Sequence, residues 1–453
     1  MNRLLLIIPL ALLTFTAPPD VIGREPESKA GAKEGREAVR GRPPLNPPLW
    51  SRAAYDNAWK RWGQKAKPAN YDAAFRERYG LHEAPYDNDR LPMGLHVARG
   101  GLVGKGLVND CLLCHAGTVA GQTVIGLGNA SLDLQGLFDD LSAADNINLN
   151  VPFRFSSVRG TIDPVNPTVF LMSFRDADLN LQAPVKLDYS PTLASDPPAW
   201  WLLKKKKSRN WTGGVDARSV RVDMVNLLSP LNSGKHVKKQ EPVFAAIHAF
   251  ILGVQAPKFP FRVDQKLAVR GRKVFENTCS RCHGTYGASG TYPNKVVPLA
   301  KIGTDRLLAE ALSEKTLSYV NKSWLGREKG PDGKLLQIAD RRGYQAPPLD
   351  GVWATAPYFH NGSVPTVYHV LNSKARPKVF TRSYRTGKEE YDPVKLGWRV
   401  KVLGRRPGGD LPGSERRKIY DTTQRGQANS GHTFGDALTE EERAAVIEYL
   451  KTL

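Results

Sequence analysis

The sequence predicts a mainly α-helical chain of two domains with long irregular loops. Three observations carry that prediction. One pentapeptide pattern occurs twice, as Cys111-Leu112-Leu113-Cys114-His115 and Cys279-Ser280-Arg281-Cys282-His283. Stretches with helical periodicity lie around both copies, notably Glu241 to Gly253 and Leu267 to Cys279. Gly- and Pro-punctuated segments without apolar period, such as Gly117 to Gly128, fill the space between.

Each pentapeptide is Cys-x-x-Cys-His, the attachment pattern of a c-type haem. Two thiols three residues apart fit on one helical turn, where they can bond to the two vinyl groups of one porphyrin. The next residue, His115 or His283, then lies under the iron and offers its proximal nitrogen. The motifs use all four cysteines of the chain, Cys111, Cys114, Cys279 and Cys282, so none is left for a disulfide. Four thiolates also suit zinc, but that site has no need of a histidine after each pair. Two covalently bound haem c groups are the expected cofactors.

At 453 residues the chain can bury more than one core, and 41% hydrophobic residues with nine Trp exclude general disorder. Residues 1–22 read as a signal peptide: Asn2-Arg3 supplies the positive end, Leu4 to Leu13 the apolar run, and Thr14 to Ala17 small residues suited to cleavage. A periplasmic or secreted location follows, with no integral membrane span after signal cleavage. A net charge of +21 would permit nucleic-acid binding, yet an exported haem protein seldom meets DNA. The expected partner is therefore an acidic redox protein rather than nucleic acid. Lys204 to Lys207 form the sharpest basic cluster.

In chain order, residues 23–44 are rich in Gly, Pro, Arg and Glu and read as a flexible linker. Residues 45–258 form the expected N-terminal haem c domain. Within it Tyr55, Trp59 and Trp62 share a helical face, and the Gly run 100–106 packs against haem rather than phosphate, because it lacks a full phosphate-loop pattern. Leu132 to Leu141 reads as a short helix carrying Asp139 and Asp140. Trp200 and Trp201, being adjacent, cannot share one face, so one faces the core and the other a different environment. Residues 259–453 form the expected C-terminal cytochrome c domain. Its closing helix starts at Thr439, a plausible N-cap with acids in the first turn.

The second axial position decides what a haem does. All four Met residues, Met1, Met93, Met172 and Met224, precede the second motif. The candidates for the second iron within its own domain are therefore His360, His369 and His432. His432 lies in Ser430-Gly431-His432-Thr433-Phe434-Gly435, where glycines permit close approach to a ring, and His360 could instead hold a propionate. For the first iron the local candidates are His82, His96, Met93 and Met172, none in a compelling context. An open site is thus a live alternative, with Asp139 or Asp140 as a proton relay. His236 and His248 read as structural.

The two haem motifs, the segment Leu267 to Glu276 and Ala356-Pro357-Tyr358-Phe359-His360-Asn361-Gly362-Ser363 resemble the bacterial dihaem cytochrome c peroxidase superfamily. Asp196-Pro197-Pro198-Ala199-Trp200-Trp201, Gly351-Val352-Trp353-Ala354-Thr355-Ala356-Pro357-Tyr358 and Gly431-His432 look closer to its rubber-oxygenase-like dihaem cytochrome branch. The resemblance covers most of residues 45–453. It implies two mainly helical, cytochrome c-like haem domains, with Trp200 or Trp201 relaying electrons between the haems. Peroxidase relatives often carry Met fourteen residues after the His matching His360; here that position is Lys374, which favours His at the second iron.

The expected function is an oxidoreductase that uses peroxide or O2 at one haem and exchanges electrons with the second. The competing reading is a dihaem electron carrier with both irons six-coordinate.

Overall fold

The computed structural model describes residues 31–100 and 104–453. The expected signal peptide, the start of the expected linker and the tip of the Gly run lie outside the described residues. Among those described, 35% are helical and 13% are in strands, so the chain is mixed helix and sheet rather than mainly α. The strands escape a reading by periodicity because they run for only two to six residues. That is too short for alternation to stand out from loop sequence.

Both motifs are mounted on rigid local structure. Trp50–Ser51, Gly104–Asn109 and Leu95–Gly100 form an antiparallel sheet with Gly104–Asn109 in the centre. This sheet runs into the first motif helix, Leu112–His115. A second hairpin, Ala116–Val119 against Gln122–Ile125, follows at once. The first motif is therefore one helical turn held between two hairpins. The second ends a long helix, Gln265–Thr278, whose N-cap Asp264 accepts from the Leu267 N–H at 3.0 Å. That helix packs on the closing helix Glu440–Leu450. The expected cap is present there as a reciprocal box: Thr439 Oγ1 accepts from the Glu442 N–H, and Glu442 accepts from the Thr439 N–H at 2.9 Å.

The linker reading fails over its described part. Ala32–Val39 is a helix packed along Glu241–Gly253. Its buried face is Ala32, Gly35, Ala38 and Val39, and Gly35 sits so close that a Cβ there would lie 2.0 Å from the Ala246 carbonyl. Small residues let two helices approach but leave no large apolar period to read.

One continuous apolar cluster joins residues from both halves, among them Trp200, Trp201, Ile247, Phe250, Phe275, Trp353 and Ile447. A second gathers Trp50, Tyr55, Phe75, Tyr79, Leu113 and Leu137. The expected boundary at residue 258 falls inside the first cluster, and Trp353 Nε1 donates to the Pro257 carbonyl across it at 2.9 Å. A further tie is the bidentate pair of Arg417 with the buried Asp133, at 2.6 and 2.9 Å. Removing one partner of such a buried pair costs about 3–5 kcal/mol. No helix among the described residues is long and apolar enough to cross a membrane.

Candidate haem sites

In each motif the histidine N–H bonds back to the carbonyl of the first cysteine at 3.1 Å, closing one helical turn. Asp110 caps the first turn, accepting from the Leu112 N–H at 2.8 Å. Burial pushes the Cys114 thiol up to about 12 and Cys279 to about 11, and raises Cys111 further. A histidine placed directly after each cysteine pair fits haem attachment, and a four-thiolate zinc site has no use for it. The described residues also contain no group of three or more Cys, His, Asp or Glu side chains arranged to hold a metal ion. The two cysteine pairs therefore serve separate sites.

The second motif is the more completely specified. His283 Nδ1 lies 2.8 Å from the Pro347 carbonyl. A carbonyl only accepts, so the proton sits on Nδ1 and Nε2 keeps its lone pair. Bonding the outer nitrogen to a carbonyl is how ligating histidines are oriented. The Tyr286 hydroxyl supports the same turn, donating to the His283 carbonyl at 2.9 Å and accepting from the Leu349 N–H.

Opposite stands His432, its ring centroid 6.2 Å from that of His283. That is too far for direct stacking. It matches two imidazoles sharing one metal, with a metal–nitrogen bond of about 2.0 Å and about 1.1 Å more to each ring centre. The His432 Nδ1 is buried with no hydrogen-bond partner. Desolvation, reinforced by His283, pushes the His432 imidazole down to about 3, so the ring stays neutral as a ligand must. Phe359 and Phe434 stand 5.8 and 5.2 Å from the His432 ring and surround it with apolar side chains. The residues fit a haem with imidazoles on both faces.

His360 takes a different place. It is buried and stacked on Tyr344 at 3.9 Å and 13°, while its carbonyl accepts from the Asp196 N–H. His369 bonds to Thr366 Oγ1 at 2.7 Å. Of the three sequence candidates, the geometry sets His432 across from His283.

The first motif is arranged otherwise. His115 stacks on Trp200, centroids 5.1 Å apart and 27° between planes. Its Nδ1 is buried without a hydrogen bond of good geometry, although the Pro198 carbonyl lies beside the ring. Desolvation pushes its imidazole down to about 4. The two histidine candidates for its second ligand are engaged elsewhere. His82 Nε2 donates to Asn129 Oδ1 at 3.0 Å, and His96 Nδ1 bonds Asp110 at 3.0 Å. Met93 and Met172 are fully buried in the apolar cluster.

The proton relay expected of Asp139 and Asp140 is not what their partners support. Asp139 is exposed and bonded to Gln135 at 2.7 Å. Asp140 accepts from the Tyr79 hydroxyl at 2.7 Å within the aromatic cluster. Their helix, Leu134–Ala144, buries Leu134, Leu137 and Leu141, and positions 139 and 140 fall off that face. Cys111 feels the charge of Asp110 and, less strongly, of Asp223; Asp223, paired with Arg209 at 2.9 Å, also acts on His115 and His248. No motif in the sequence marks it.

Trp200 and Trp201 are both buried in the one apolar cluster, against the expectation that only one of them faces the core, but their rings meet different neighbours. Trp200 touches His115, and its N–H reaches the Gly126 carbonyl, whose own N–H bonds the His115 carbonyl. Trp201 Nε1 donates at 2.8 Å to the carbonyl of Asp350, three residues beyond the proline that holds His283. One dipeptide thus leans on both histidine mounts. The lysine run is partly bound here: Lys205 pairs with Asp350 at 2.6 Å, and burial pushes Lys206 down to about 8.

His82 gives a pH-dependent prediction. Burial lowers it from 6.5 to about 4, so between those values the unfolded chain binds a proton that the folded chain refuses. Stability therefore falls as pH drops from 6.5 towards 4, by up to about 3 kcal/mol from this residue. Urea unfolding of His82→Gln, which keeps a donor for Asn129 but does not titrate, should show a shallower loss over that window.

Both turns have the form of a haem c attachment site, and one comparison points the same way. Residues 343–381 match the family described as RoxA-like, cytochrome c-like. That segment contains Pro347, Asp350 and His360. The chain is 29% identical over 296 residues to the uncharacterized protein y4iM of Sinorhizobium fredii, covering 57% of this chain and 64% of that one. It is also 29% identical to y4iJ of the same organism, covering 44% of this chain and 42% of the relative. The chain thus spans less than two thirds of either relative. A crystal structure described as a MauG-like protein associated with microbial copper homeostasis aligns with 68% of this chain and 94% of its own at 17% identity, with a TM-score of 0.29.

Proposed function

We propose that the protein is an exported dihaem c-type oxidoreductase of the dihaem peroxidase superfamily, on its rubber-oxygenase-like branch. It uses peroxide or O2 at the first haem and exchanges electrons with the second. The observation that carries this reading is the difference between the two histidines. His283 faces a neutral imidazole at 6.2 Å, whereas the nearest ring to His115 is Trp200, and both neighbouring histidines are committed to Asn129 and Asp110.

A haem bound by Cys111, Cys114 and His115 would supply the oxidant-binding and electron-accepting chemistry. The chain's own residues set the rest. Cys279, Cys282, His283 and His432 would hold the second group, and a neutral His432 would keep it closed to other ligands. Trp200 and Trp201 provide the aromatic bridge between the mounts of His115 and His283. The basic surface, including Lys204 and Lys207, would receive an acidic redox protein. The location is periplasmic or secreted.

A plain electron carrier would have both irons closed. Carbon monoxide titration of the fully reduced protein separates the two. One ligand bound per two haems is expected. No binding at either haem would make the protein a carrier.

A further inference from the structure

Arg376 stands in the segment Ser373 to Pro377, where peroxidase relatives would place their methionine and this chain does not. Its side chain is 9% exposed. The guanidinium donates to five backbone carbonyls. Two belong to the helix Val367–Leu371: Nε reaches the His369 carbonyl at 2.8 Å and Nη2 that of Val370 at 3.3 Å. The other three lie on the loop that carries His432. Nη1 reaches Asn429 and Gly431, each at 2.7 Å, and Nη2 reaches His432 itself at 3.2 Å. The guanidinium also lies 4.9 Å over the ring of Phe359, which stands against the His432 ring.

The loop needs such a tie. Gly431 and His432 both have left-handed backbone, at φ 72 and 46. For a residue with a Cβ that conformation is strained unless its surroundings enforce it. The loop also crosses the chain at Gly303 so closely that a Cβ on Gly431 would lie 2.2 Å from the Gly303 carbonyl carbon. One main-chain bond, from the His432 N–H to the Ile302 carbonyl at 2.7 Å, holds the far side. Arg376 holds the near side by three.

We propose that Arg376 is the positioning residue that keeps His432 on the second iron, so that this arginine decides whether that haem stays closed. The inference rests on His432 being the ligand. Only a planar fork with five N–H groups can serve both strands of this junction, so lysine is no substitute. Each lost bond to a charged donor is worth about a factor of ten in an equilibrium. The equilibrium between ligated and detached His432 should therefore shift by at least about a hundredfold.

The test compares His432→Ala, Arg376→Ala and Arg376→Lys holo-proteins by electron paramagnetic resonance and by carbon monoxide binding to the reduced second haem. The first haem's spectrum serves as the control for folding. Arg376→Lys keeps the stem and the charge, so it stands in if the alanine variant does not fold. Both arginine variants are expected to lose low-spin signal from the second haem and to bind carbon monoxide at least about a hundredfold more tightly than the parent. If His432→Ala leaves the second haem low-spin, the ligand reading fails and the inference with it. If His432→Ala opens the haem while Arg376→Lys keeps the parent's spectrum and affinity, the inference alone is overturned.

Discussion

A Cys279→Ala, Cys282→Ala double variant is expected to leave the cell with one haem instead of two, and Cys111→Ala, Cys114→Ala to lose the other. The thiols are the only covalent anchors that the two motifs offer a porphyrin. The lost haem would leave a void against the His283 turn and the rings of Phe359, Phe434 and His432, so the cysteine variant of the second site should also unfold earlier on heating. Intact mass and the absorbance of the pyridine adduct give the haem count directly. A mass lowered only by the two lost sulfur atoms, with no haem missing, would show that the substituted pentapeptide does not attach haem.

Alanine at His432 is expected to convert the second haem from low-spin to high-spin while leaving the first unchanged. The two rings across that site are 6.2 Å apart, and the His432 imidazole is held neutral by burial. No other imidazole is placed to take over, because His360 is stacked on Tyr344 and His369 is bonded to Thr366. Added imidazole should restore the low-spin spectrum by filling the space that the side chain left. The parallel variant His360→Ala should keep the low-spin signal. If the two results were reversed, the ligand would be His360 and the account of Arg376 would fall.

The parts of the site that follow from covalent chemistry were legible in the sequence. Two pentapeptides contain every cysteine, and their spacing has a single mechanical meaning next to a histidine. His432 was legible more weakly, through the glycines on either side. Other features depend on backbone groups, which carry no signature in a sequence. Arg376 binds five carbonyls, and Pro347 matters for its carbonyl alone. The Ala32–Val39 helix stayed hidden because its contact face is made of alanine, glycine and valine, which reads as linker composition. Asp139 and Asp140 were attractive by nearness in sequence to His115, but the helix turns them towards solvent and Tyr79. Distance along a chain says little about distance across a cavity when a hairpin and a helix intervene. The mixed helix and sheet content was missed for a similar reason, since strands of two to six residues are fixed by their partners rather than by their own pattern.

The most direct measurement of the central claim, that one haem is closed and the other open, is a low-temperature electron paramagnetic resonance spectrum of the holo-protein before and after adding peroxide. One high-spin or displaceable iron beside one low-spin iron, with both signals changing on peroxide addition, is the expected result. Two low-spin irons indifferent to peroxide, in the oxidised and the half-reduced protein alike, would contradict it.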